Sequence, residues 1–152
     1  REEGISNIES NAERNVMNVK EVMKANASIV TPSMSVREAA EKMSQEQVGF
    51  LPVGEDDRLQ GTITDRDIVL KAVSQGKDPQ STHIKDVFTS KLVYCSEDQD
   101  LDEVARMMGD NQIRRMPVIN ADKRLVGVIS IGDMAQHLSQ DTAGKVLSQI
   151  TA

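Results

Sequence analysis

The residues with the clearest chemical potential occur twice. Gly61, Thr64 and Asp67 stand in the run GTITDRDIVLKAV, and Gly127, Ser130 and Asp133 stand in GVISIGDM at the same spacing. A hydroxyl three residues ahead of a carboxylate, where a β-branched run turns into a helix, has two uses. In the first, Thr64 and Ser130 are helix N-caps. Their side-chain oxygens accept a backbone N–H, and Asp67 and Asp133 favour the positive end of the helix. In the second, the same place holds a nucleotide. Helix-start N–H groups attract an anion, and a carboxylate can accept both hydroxyl protons of a ribose diol. Gly61 and Gly127, having no side chain, would let a ligand approach the strand. One side chain can serve both purposes, so the two readings are compatible. Charge separates the copies. Arg114 and Arg115 stand where the first copy has Gly49 and Phe50, Arg66 is matched by Gly132, and Asp65 by Ile131.

The elements that must position these residues also come twice, which fixes the architecture. A slide of 65 residues lays VKEVM (19–23) on IKDVF (84–88), SVREAAEKM (35–43) on DLDEVARMM (100–108), and QVGFLPV (47–53) on QIRRMPV (112–118). With one extra residue, LQGTITDRDI (59–68) falls on LVGVISIGDM (125–134). Each repeat opens with a short strand, near Ser28–Val30 in the first, ended there by Pro32. A capping-box pattern follows at Ser35 and Glu38, and a looser one at Asp100 and Glu103. Val36, Ala39, Ala40 and Met43 share one helical face, as do Leu101, Val104, Ala105 and Met108. Next come a strand (50–53; 115–119), a polar loop (GEDD; NADK), a second strand (59–64; 125–130) and a closing helix (65–73; 132–138). The reading is an α/β (α+β) fold of two β-α-β-β-α repeats, packed sheet to sheet about a pseudo-two-fold axis, with two equivalent clefts. The expected divisions are a leader at 1–17, repeats at 18–80 and 81–140, and a tail at 141–152. The polar stretch 1–16 is either foreign to the natural chain or a genuine short helix.

Composition bounds the function. The chain has 152 residues, a net charge of −6 and only 2% aromatics, so its core must be aliphatic and Met-rich. A general nucleic-acid binder needs a basic footprint that this charge denies, although a few local arginines can still hold a small anion. No apolar run approaches the roughly 20 residues that span a bilayer. The lone Cys95 cannot form an internal disulfide, which suits a reducing, cytoplasmic setting. His83 and His137 are too few and too isolated for a metal site. Cys95 has no His near it in sequence, and no P-loop, nucleophile-elbow or dinucleotide fingerprint is present. The chain is therefore expected not to be an enzyme, and to use no catalytic cofactor.

The duplicated β-α-β-β-α order, the hydrophobic-Pro-Val strand and the paired Gly-x-x-Thr/Ser-x-x-Asp ending resemble a tandem pair of cystathionine-β-synthase (CBS) domains, the Bateman module, over residues 18–140. The run TDRDIVLKAVSQGKDP looks especially like small stand-alone bacterial CBS-pair proteins. The resemblance implies a regulatory, energy-sensing module that binds AMP, ADP or ATP, NAD(H) or S-adenosylmethionine, and that regulates an unidentified protein. It implies that Asp67 and Asp133 contact ribose, that Thr64 and Ser130 help hold ribose or phosphate, and that Arg114 and Arg115, with Arg66, reach phosphate. The adenine slots would lie beside Val30, Thr31 and Val48 through Pro52, and beside Cys95, Ser96 and Ile113 through Pro117. It also implies a homodimer, to which the tail GKVLSQI would add an apolar stripe of Val146, Leu147 and Ile150. The alternative is a protein-interaction module with empty or vestigial clefts.

Overall fold

The computed structural model describes residues 17–151. The choice between a foreign leader and a short helix for 1–16 lies outside them. In chain order the elements are β1 (Lys24–Ala25), α1 (Val36–Glu46), β2 (Phe50–Glu55), β3 (Arg58–Thr64), α2 (Asp65–Ile68), β4 (Cys95–Ser96), α3 (Leu101–Asn111), β5 (Arg115–Ile119), β6 (Leu125–Ser130), α4 (Ile131–Met134) and α5 (Gln140–Thr151). Short 3-10 turns cover Val19–Glu21, Ile84–Asp86 and Ala135–His137, and α2 runs on through a π-helical turn, Val69–Val73. This is the mixed α/β duplication expected, with two copies of one element order. No helix among the described residues is long and apolar enough to cross a membrane.

The chain forms two compact units that do not follow its order. The Ser130 unit comprises residues 17–25, 95–120 and 127–151. Its sheet runs β1-β6-β5-β4, with β1 antiparallel to β6 and β4 parallel to β5. The Thr64 unit comprises residues 26–94 and 121–126. There β2 and β3 form an antiparallel pair, flanked by single bridges Val30↔Val53 and Thr62↔Thr89. The lead-in at 19–25 therefore joins the unit built around the second motif, and the lead-in at 84–89 joins the first. A strand expected near Ser28–Val30 is reduced to that one bridge at Val30.

Local chemistry explains most boundaries. The Ser35 side chain accepts from the Glu38 N–H at 3.1 Å and starts α1. Asp100 makes no such side-chain bond, contrary to the looser capping box expected there. The Leu101 N–H bonds instead to the Met17 carbonyl at 3.1 Å, so tertiary contact replaces the cap. Asp56 and Asp57 both take positive φ, 52° and 64°, the pattern of a two-residue hairpin turn between β2 and β3. Val36, Ala39 and Met43 are buried, but Ala40 is exposed, whereas Leu101, Val104, Ala105 and Met108 are all buried. The difference accompanies α5, which packs on α3 so closely that a Cβ at Gly109 would lie 2.2 Å from Gln149 Oε1. In α5, Val146 turns inward at 1% exposure, leaving Leu147 63% exposed, so the tail stripe serves its own unit's core first.

The motif glycines are packing sites. A Cβ at Gly61 would lie 2.3 Å from the Thr89 carbonyl oxygen, and one at Gly127 would lie 2.6 Å from the Lys24 carbonyl oxygen. The space expected to admit a ligand beside the strand is thus filled by the chain's own backbone. Gly61→Ala and Gly127→Ala should each destabilise by about 1–3 kcal/mol through overpacking. Gly144→Ala, within α5 and with nothing inside 4 Å, should stabilise by up to about 1 kcal/mol. Urea unfolding of the three variants measures both signs.

Cys95 is a core residue. It is 1% exposed, its thiol donates to the Pro117 carbonyl at 3.7 Å, and burial pushes its pKa from 9.0 up to about 12. The folded state thus holds the thiol proton more tightly than the unfolded chain. This contribution to stability is complete below pH 9.0 and is lost as pH rises through about 12. A thiol-specific disulfide reagent at pH 8 should leave the native protein unmodified and react fully once it is unfolded. Rapid reaction of native protein would contradict the burial.

Candidate functional site

In each unit a strand delivers the motif to the start of a short helix. Thr64 ends β3 and caps α2, where its Oγ1 accepts from the Asp67 N–H at 3.0 Å and Asp67 Oδ2 accepts from the Thr64 N–H at 3.0 Å. Ser130 and Asp133 repeat this on α4, at 3.1 and 3.0 Å. The capping reading is therefore realised in both copies as a reciprocal box. A box of this kind uses one carboxylate oxygen and the acceptor side of one hydroxyl. It leaves the second carboxylate oxygen and the hydroxyl proton to other partners.

Those remaining groups differ between the units. Asp67 Oδ1 lies 3.0 Å from Lys71 Nζ, and the Thr89 hydroxyl donates to the same carboxylate at 3.3 and 3.4 Å from its two oxygens. The Asp67 side chain is only 12% exposed. The residues matching Lys71 and Thr89 in the repeat are His137 and Lys24. Among the described residues neither pairs with Asp133, and none of them donates to its Oδ1.

The other expected residues fall in two groups. Asp65 approaches Gly49, since a Cβ there would lie 2.6 Å from Asp65 Oδ2, and the Asp65 N–H bonds to the Gly49 carbonyl. At the matched place the Ile131 N–H bonds to the Arg114 carbonyl at 2.8 Å. Thus a carboxylate borders the Thr64 site where a guanidinium side chain begins in the Ser130 unit. Arg114 also borders an apolar groove of about 410 Å³ lined by Ile131, Leu138 and Leu147. Arg66, Arg114 and Arg115 are exposed, and among the described residues none forms an ion pair. Thr31 and Ser96 are partly buried, with Thr31 Oγ1 3.2 Å from Ser33 Oγ and Ser96 Oγ accepting from the Asp98 N–H. Val48 and Ile113 are partly buried, each following a glutamine in the left-handed region, Gln47 at φ 56° and Gln112 at φ 53°. Pro52 and Pro117 are buried, and the Pro52 carbonyl accepts from the Val30 N–H.

Sequence reasoning missed Lys71 and Thr89. Lys71 carried a signal, because a basic residue four positions after an acid on a helix pairs with it. Thr89 carried none, lying 22 residues away along the chain. No group of His, Cys, Asp and Glu among the described residues could hold a metal ion.

The CBS domain family model matches residues 19–74 and 84–140. The CBS domain-containing protein YhcV of Bacillus subtilis is 37% identical over 134 residues, spanning 88% of this chain and 94% of that protein. Two solved structures share the fold. The CBS domain pair of protein MJ0100, in complex with 5′-methylthioadenosine and S-adenosyl-L-methionine, has a TM-score of 0.71 at 28% identity, over 80% of this chain and 94% of that one. CBSX2 in complex with AMP has a TM-score of 0.66 at 26% identity, over 78% and 93%. With both repeats matched and a relative so similar along nearly its whole length, the chain belongs to the CBS domain family, as a tandem pair of these domains.

Proposed function

We propose that this CBS pair is a regulatory module that binds an adenosine-containing ligand and does no chemistry on it. The observation that carries the reading is the Ser130–Asp133 arrangement. Among the described residues, a carboxylate with one uncommitted oxygen stands beside a hydroxyl whose proton has no partner, in the unit that also carries Arg114 and Arg115, neither in an ion pair. The carboxylate suits a ribose diol and the guanidinium groups suit phosphate. AMP, ADP and ATP fit this set best. NAD(H) shares the same ribose and phosphate groups, and S-adenosylmethionine the ribose alone. That two structurally similar CBS pairs hold AMP or S-adenosyl-L-methionine supports the ligand class. Regulation would then be a population shift, in which ligand favours the conformation it binds better by no more than its differential affinity. A cytoplasmic location and an unidentified regulated protein complete the reading.

Asp133→Asn tests it. Asparagine keeps the shape and the capping acceptor but loses the charge. Charge-assisted hydrogen bonds contribute roughly 1.5–3 kcal/mol, so AMP affinity by calorimetric titration should fall about tenfold or more. The melting temperature without ligand should hardly change. A wild-type protein that binds none of AMP, ADP, ATP, NADH or S-adenosylmethionine overturns the proposal.

We also propose a homodimer with two-fold symmetry. Its support is the outer face of the helix after Thr64, where Val69, Leu70 and Val73 are 52%, 46% and 57% exposed. Light scattering should give a dimer at tens of micromolar, and Val69→Glu with Val73→Glu should give a monomer. A monomeric wild type would refute this.

A further inference from the structure

We propose that the two motif acids are not equivalent: Asp133 is the ribose-diol acceptor of this chain, and Lys71 with Thr89 keeps Asp67 closed to a diol. The inference rests on the adenosine reading above and names the residues that decide which copy of the motif is used. At Asp67 both carboxylate oxygens are engaged from within the protein, by three donors. The Thr64 N–H holds Oδ2 at 3.0 Å, the Lys71 ammonium holds Oδ1 at 3.0 Å, and the Thr89 hydroxyl spans both oxygens at 3.3 and 3.4 Å. Lys71 Nζ also lies 3.5 Å from Thr89 Oγ1, which closes the three groups into one ring. A diol arriving there must displace an ammonium and a hydroxyl to make the same kind of bond, so the exchange gains little. At Asp133 only the Ser130 N–H is engaged among the described residues, and none of them places an ammonium or hydroxyl on Oδ1 for a diol to displace.

The same contrast recurs in the flanking charges. Asp65 reaches to Gly49 beside the closed acid, while Arg114 and Ile131 hold those two places beside the open one. A phosphate attached to the ribose therefore meets Asp65 as well as Arg66 in one unit, and Arg114 and Arg115 without that carboxylate in the other. Lys71 and Thr89 are positioning residues, since they act through Asp67 and need not touch the ligand.

The test follows backbone amide shifts of isotope-labelled protein by NMR during titration with adenosine, which carries the diol but no phosphate, and then with AMP. In the wild type, the amides of 130–133 should move with both probes. Those of 64–67 should respond with an affinity at least about tenfold weaker. In Lys71→Ala with Thr89→Val, residues 64–67 should respond to adenosine with an affinity within about tenfold of that at 130–133. Lys71→Ala alone, at a half-exposed side chain, carries the same expectation should the double variant fail to fold. Adding Asp133→Asn to the opened variant should leave the response at 64–67 alone. Equal affinities at the two motifs in the wild type would overturn the inference while leaving the adenosine reading intact. An opened variant that still responds only at 130–133 would do the same. Loss of all response to both probes in the wild type would instead sink the adenosine reading, and this inference with it.

Discussion

The backbone of Thr89 lies where a side chain at residue 61 would have to be, and the backbone of Lys24 does the same at residue 127. This close approach organises both units. It lets a lead-in segment pair with the strand that ends in the motif hydroxyl, through Thr62↔Thr89 in one unit and β1 with β6 in the other. The glycine, the hydroxyl and the acid of each motif therefore form a single device. The glycine admits the neighbouring backbone, the strand then ends at the cap, and the cap fixes the carboxylate with a reciprocal hydrogen bond. The approach also decides what stands beside the acid. Because the residue lying against Gly61 is a threonine, its hydroxyl reaches Asp67, and because the residue lying against Gly127 is a lysine, no hydroxyl is delivered to Asp133.

Duplication makes such differences informative. The backbone hydrogen bonds match between units: Val36 N–H to Thr82 carbonyl against Leu101 N–H to Met17 carbonyl, and Asp65 to Gly49 against Ile131 to Arg114. With the frame held constant, substitutions at matched positions read as changes in chemistry. Lys71 against His137 and Thr89 against Lys24 leave the acid of the Ser130 unit less engaged, and Asp65 against Ile131 and Gly49 against Arg114 make its surroundings more positive, while Arg66 against Gly132 runs the other way.

Most of the fold was legible in the sequence because it is carried by local patterns. The 3.6-residue spacing of Val36, Ala39 and Met43 gave α1 its buried face, and the β-branched run ending at Thr64 gave β3. Both motif caps were readable from hydroxyl and acid spacing alone. What escaped depends on distant parts of the chain. The exchange of lead-ins leaves no local signal, since VKEVM reads the same whichever unit it joins. Ala40 is exposed because no helix among the described residues packs on α1 as α5 packs on α3. The role of the glycines was misread for the same reason, because an empty Cβ position looks alike whether a ligand or a backbone fills it. The candidate residues could be named by type, but their availability could not be read, since it rests on Thr89 and on which oxygens a cap consumes.

Capping and binding are thus successive claims on one side chain, and the order of the claims matters. A carboxylate has two oxygens with about four acceptor directions. The reciprocal cap takes one of them, and stability alone requires no more. Asp133 stops there, while Asp67 continues to an ammonium and a hydroxyl until it is 12% exposed. The lysine end of the pair stays 44% exposed, so the extra engagement adds a modest stability, on the order of 1 kcal/mol. Its larger consequence is chemical, because a carboxylate with both oxygens engaged from within the protein has less to offer a ligand. In a module built from two copies of one device, that is enough to make one copy structural and to leave the other open.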